Sequence, residues 1–150
     1  MSTKIGTHPS FGYQLVADIS AAEQLTSNDC GKIFMVDQST AFTINLPKLS
    51  TELAGWQCKF VIKTAATNDI HIMAHGLTSA GGTTGDAESF IFKEIAAEDA
   101  GAATTAGQDG VILKSGAVRG DSIELFTDGT SWYATSFVTE AAHSDDVDTD

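Results

Sequence analysis

Apolar and polar residues alternate along most of this chain, the period-two pattern of strands with one buried face. The clearest case is Phe42-Thr43-Ile44-Asn45-Leu46, which sets Phe42, Ile44 and Leu46 against polar neighbours. Pro47 closes that strand, because it has no N–H to give to a ladder. Cys58-Lys59-Phe60-Val61-Ile62-Lys63 alternates likewise, with Cys58, Phe60 and Ile62 inward and both lysines outward. Ile70-His71-Ile72-Met73-Ala74 repeats the pattern with its isoleucines inward. Further strands are predicted over Tyr13–Ala17, Lys32–Asp37, Phe90–Ile95, Val111–Lys114, Ser122–Thr127 and Trp132–Val138. About nine short strands between turn-rich connections predict an all-β fold, an antiparallel β-sandwich or jelly-roll-like barrel.

The strongest turn signal is Asp128-Gly129-Thr130-Ser131, where Asp-Gly supplies the positive φ of a tight hairpin. The strands on either side of it should therefore pair directly. At most two short helices fit: Leu49–Ala54, capped by Ser50 or Thr51 and stopped by Gly55, and a turn at Ala21–Leu25 with Ser20 and Glu23 in capping-box positions. Two stretches escape the pattern. Gly76–Ser89 and Ala96–Gly110 are long, small-residue connections of the kind that serve binding or assembly. No internal repeat of fixed period is visible. The chain divides into an N-terminal arm over 1–12, one sandwich domain over 13–139 and an acidic tail over 140–150. That tail carries five acids, whose mutual repulsion predicts a loose segment.

Two strands are apolar on both sides. Trp132, Ala134 and Ser136 face one way while Tyr133, Thr135 and Phe137 face the other, and neither set is strongly polar. Ile123 and Leu125 share a face, with Phe126 on the opposite one. Such strands are either buried between layers or covered by another subunit.

Composition narrows the function by exclusion. Forty-two per cent hydrophobic residues mark a globular chain. Eight Lys and Arg against twenty Asp and Glu give a net charge of −12, which repels phosphate backbones and argues against nucleic-acid binding. Apolar runs are about four residues long, far short of a span, so no membrane partner is expected. The opening MSTKIGTHPS lacks the apolar core of a secretory signal, which points to folding in a cytoplasm. Two cysteines, Cys30 and Cys58, are too few for a disulfide scaffold or a four-thiolate zinc site.

Candidate chemistry is equally thin. His71, Met73 and His75 share a strand face, yet His71 and His75 would sit roughly 13 Å apart, too far to bind one ion. His71 and Met73 are then expected to face solvent or a neighbouring subunit, and His8 and His143 lie in the termini and carry no constellation. The Asp145-Asp146-Val147-Asp148 run lacks the glycine and closing glutamate of an EF-hand loop. There is no GxSxG elbow, and Gly81-Gly82-Thr83-Thr84-Gly85 lacks the lysine and helix of a phosphate loop. No catalytic, cofactor-binding or metal-binding residue is assigned, no cofactor is implied, and the chain reads as a non-enzyme.

Three segments carry a resemblance. Asp29-Cys30-Gly31-Lys32-Ile33-Phe34-Met35-Val36-Asp37 followed by Ala41-Phe42-Thr43-Ile44-Asn45-Leu46-Pro47 resembles the opening of small virion structural proteins of tailed bacteriophages. Gly55-Trp56-Gln57-Cys58-Lys59-Phe60-Val61-Ile62-Lys63-Thr64 is similar to the strand that follows in them. Gly120-Asp121-Ser122-Ile123-Glu124-Leu125-Phe126-Thr127-Asp128-Gly129-Thr130-Ser131-Trp132-Tyr133 resembles their closing hairpin. The resemblance covers roughly residues 29–64 and 116–138 in the right order, and leaves 76–110 unmatched.

That resemblance implies a non-catalytic component of the virion, a homotrimeric capsid decoration or cement protein whose partner is the major capsid protein. It would be made in the host cytoplasm and act on the capsid surface, with residues 1–12 as the capsid-contacting arm. The alternative it leaves open is a tail or head fibre module that binds host glycans through exposed aromatics such as Trp56 or Tyr133.

Overall fold

A computed structural model of the chain describes residues 14–37, 39–77, 90–96 and 103–147. Two mixed sheets pack face to face as an all-β sandwich. The strands are β1 (Val16–Ile19), β2 (Glu23–Gln24), β3 (Ile33–Val36), β4 (Phe42–Asn45), β5 (Gln57–Ile62), β6 (Ile70–Met73), β7 (Phe90–Ala96), β8 (Ala103–Gln108), β9 (Gly110–Leu113), β10 (Ser122–Thr127), β11 (Trp132–Val138) and β12 (Ser144–Val147). The larger sheet runs β1-β3-β5-β10-β11-β7-β8 and the smaller β12-β9-β6-β4-β2.

The expectation of purely antiparallel pairing is corrected. From β1 to β6 the chain passes alternately between the two sheets, so each successive strand lies parallel to the one two before it. These six strands form three stacked coils, each crossover running through the opposite sheet. Residue 16 pairs with 33 and 33 with 59, offsets of 17 and 26 residues. Unequal coil lengths explain why no fixed repeat is visible in the sequence.

Stacking in register puts like on like. Phe34 lies over Phe60 with centroids 5.2 Å apart and an interplanar angle of 17°. Gln24 and Asn45 are register partners on adjacent coils. The Gln24 amide donates to the Leu46 carbonyl at 2.9 Å, and the Asn45 amide donates to those of Ala74 (3.1 Å) and Leu77 (2.7 Å). Each amide thus satisfies carbonyls of the next coil's corner, which a purely apolar side chain would leave orphaned.

The core lies between the sheets. Phe34, Phe60, Phe90 and Trp132 project inward from the larger sheet, and Ile44, Ile70, Ile72, Val111 and Leu113 from the smaller. Trp56 meets Trp132 edge-on at 5.4 Å and 83°, while its indole N–H donates to the Thr26 carbonyl. Cys58 is buried on this inner face, as its alternation with Phe60 predicts.

Several local expectations change. Glu23–Gln24 in the supposed helical turn is a short strand, and the capping box instead belongs to Thr26 and Asp29 around the 3-10 turn Ser27–Asp29. The Leu49–Ala54 helix shrinks to a 3-10 turn at Thr51–Leu53. Within the connection expected at 96–110, Ala103–Gln108 is a strand paired antiparallel to β7. The acidic tail is not loose over Ser144–Val147, which pairs with β9 at the edge of the smaller sheet. Residues 1–12 and most of the 76–89 connection lie outside the described residues.

Candidate assembly surface

The hairpin β10–β11 builds the centre of the site. Its turn forms as the Asp-Gly signal predicts: Gly129 has φ +94, and Asp128 Oδ1 accepts from the N–H groups of Thr130 and Ser131, both at 2.8 Å. Alternation then sends Ile123, Leu125, Trp132 and Ala134 into the core, and Glu124, Phe126, Tyr133, Thr135 and Phe137 to the outer face.

Register carries that outer face across six strands. One row runs Asp18, Met35, Val61, Ser122, Phe137 and Ile95. The next runs Val16, Ile33, Lys59, Glu124, Thr135 and Lys93, and a third Gln57, Phe126, Tyr133 and Ile91. Phe126 is 51% exposed, Phe137 42% and Val16 63%. Of the two ways to accommodate strands apolar on both sides, burial between layers does not hold for this chain alone. Beside Phe126 and Phe137 a shallow groove of about 300 Å³ opens between Lys59, Glu124 and Thr135.

Charges on the face are matched. Lys59 Nζ lies 2.9 Å from Glu124 Oε1, and Lys63 Nζ lies 2.8 Å from Asp18 Oδ2. At the hairpin, the Tyr133 hydroxyl donates to Asp128 Oδ2 at 3.1 Å. The backbone bonds from Thr130 and Ser131 hold the Asp128 carboxyl well below the ordinary carboxylate range, and the bond to Asp128 pushes the Tyr133 phenol up.

A buried polar cluster at the edge of the sandwich went unread in the sequence. Asp121 accepts at Oδ1 from the N–H and hydroxyl of Thr139, both 2.9 Å, and at Oδ2 from the Val118 N–H at 3.0 Å. His143 Nδ1 lies 2.7 Å from the same Oδ2. Both Asp121 oxygens are taken up, and His143 Nε2 faces Glu140 at 3.8 Å. Ser144, next in sequence, donates its hydroxyl to Ser136. The cluster pins the turn Ala141–His143 and β12 to the main sheet. Asp121 stands 22 residues before His143, so only their spatial meeting reveals the pair.

The residues weighed for metal binding separate. Met73 is fully buried beneath Gly110 rather than facing outward, because an adjacent glycine leaves room for its thioether. His71 is half-buried, and burial lowers its pKa below the ordinary imidazole value. His75 lies beyond the strand, beside a separate depression with Gln24, Lys48 and Glu52. Among the described residues, no group of three His, Cys, Asp or Glu could hold an ion. Trp56, expected to be an exposed aromatic, is buried at 3% exposure. No protein-family model matches the chain, and no curated protein matches it.

Proposed function

We propose that this chain is a non-catalytic structural protein of a phage virion, a capsid decoration protein that binds the assembled head and stabilises it. The observation that carries the reading is the exposed apolar outer face of the larger sheet, centred on Phe126 and Phe137. An apolar patch on strands whose backbones are already paired on both sides is suited to being covered by protein. The three segments that resemble phage virion proteins contribute β3, β5, β10 and β11, which are consecutive neighbours in that same sheet, together with β4 of the smaller one.

A decoration protein needs a stiff platform rather than reactive groups. It strengthens a shell by mass action, since it binds the assembled lattice and not the loose subunits. Interlocked coils and an inter-sheet aromatic core supply the stiffness. The Asp121–His143 pair fits the same account, because every oxygen of the Asp121 carboxylate is committed to holding the fold. The partner in this reading is the major capsid protein, and the location is the capsid surface. The fibre alternative loses one of its two aromatic candidates, since Trp56 belongs to the core.

Electron microscopy of intact particles tests the proposal. Copies at regular lattice positions on the head are the expected result, and copies confined to tail components would overturn it.

A further inference from the structure

We infer that the outer face of the seven-stranded sheet is a contact between copies of this chain, so that the protein is a homo-oligomer held through Phe126 and Phe137. The inference rests on the assembly reading above, deepens it and names the occupant of its surface.

Charge selects that occupant. Copies carrying −12 repel one another over most of their surface, so self-association requires a region where the acids are neutralised. On this face Asp18 and Glu124 each meet a lysine at 2.8–2.9 Å, and Lys93 lies in the same row as Glu124. A patch of matched charges presents no single-sign field for a strongly acidic or strongly basic partner. Two copies can therefore meet here without the repulsion that the rest of their acidic surface imposes.

Area agrees. The six strands, four to seven residues long at about 3.3 Å each and about 4.8 Å apart, give a footprint of roughly 540 Å². Covering it on two copies removes roughly 1,100 Å², above the ~1,000 Å² that a specific interface needs. Phe126 and Phe137 flank the groove, the arrangement of aromatic anchors that dominate such contacts.

The test is mass in solution by light scattering, on wild type and on Phe126→Lys and Phe137→Lys made separately. Thr43→Lys, on the outer side of the smaller sheet, is the control. Wild type and control are expected at a multiple of 15.7 kDa, and each face variant at 15.7 kDa with an unchanged circular-dichroism spectrum. If one face variant fails to fold, the other decides. A monomeric wild type overturns the inference, as does an oligomer that survives in a folded face variant. Binding to heads is read separately on the same samples. An oligomer that never binds heads defeats the virion reading alone, whereas a monomer that decorates them defeats this one alone.

Discussion

Phe126 lies flat on Tyr133, with ring centroids 4.8 Å apart and an interplanar angle of 9°, on the outer side of the sheet. The pair spans adjacent strands in direct register. Stacked aromatics across a ladder stabilise it by about 0.5–1.5 kcal/mol beyond their burial. Here they also present a rigid apolar surface outward, at the end of the one hairpin whose turn chemistry is strongest.

That surface is tethered by a titratable link. The bond to Asp128 raises the Tyr133 phenol, so it stabilises the hairpin fully below the ordinary tyrosine value, near pH 10. The contribution is lost as pH rises through the raised value in the folded state. Asp128 has the opposite sense: its depressed carboxyl contributes above about pH 4, the unfolded value, and fades as pH falls toward its folded one. Ultraviolet titration of the phenolate should show a late-titrating tyrosine in wild type that returns toward the ordinary value in Asp128→Asn. An unchanged titration in that variant would contradict the link.

Asp121 is a buried acid with both carboxylate oxygens bonded. Asp121→Ala removes four acceptor bonds at once and leaves the donors of Val118, Thr139 and His143 without their partner. The expected loss is about 3 kcal/mol, in the range of a broken buried pair. Urea unfolding monitored by tryptophan fluorescence checks it. A loss under about 0.5 kcal/mol, the level of a neutral surface change, would show that the cluster does not hold the C-terminal strand.

Inside and outside positions of β5 should respond very differently. Phe60 is fully buried and stacked on Phe34, so Phe60→Ala should cost about 3–5 kcal/mol. Its neighbour Lys59 faces outward in a pair with Glu124 that is exposed on both sides, and Lys59→Ala should cost under about 1 kcal/mol. Equal effects in denaturant titrations would mean that the register of β5 is wrong.

Two glycines separate steric from conformational constraint. A Cβ at Gly110 would lie 2.5 Å from the Ile72 carbonyl oxygen and 2.7 Å from Met73 Sδ, so Gly110→Ala forces strands β6 and β9 apart. Gly120 has φ +101, and a Cβ there would meet nothing within 4 Å, so its cost is backbone strain alone. Gly110→Ala should lose about 1–3 kcal/mol through overpacking, and Gly120→Ala about 1 kcal/mol. Thermal unfolding of the two variants gives the order, and the reverse order would contradict the close approach at Gly110.

Strands whose sequences alternate were legible. Phe42–Asn45 and Gln57–Ile62 carry their largest apolar residues on one side, and burial of that side decides their register. The missed strands lack that signal. Glu23–Gln24 is exposed throughout, Ala103–Gln108 contains no large apolar residue, and Ser144–Val147 reads as an acidic run. All three are held by ladder bonds to neighbouring strands. The parallel coils were illegible for a related reason, since period two is common to parallel and antiparallel strands. Of the assembly surface, the outward turn of Phe126 was visible from its alternation with Leu125. Its exposure was not, because the sequence cannot say whether a second layer lies above it.

Everything turns on whether that outer face is covered in the working state of the protein. Hydroxyl-radical footprinting of the purified assembly measures this directly, with each rate normalised to intrinsic side-chain reactivity. Phe126 and Phe137 should react several-fold more slowly than their 51% and 42% exposure in the single chain implies, while His71, half-buried beside Thr43 on the outer side of the smaller sheet, reacts at the rate its exposure implies. Full-rate oxidation of both phenylalanines would contradict the account.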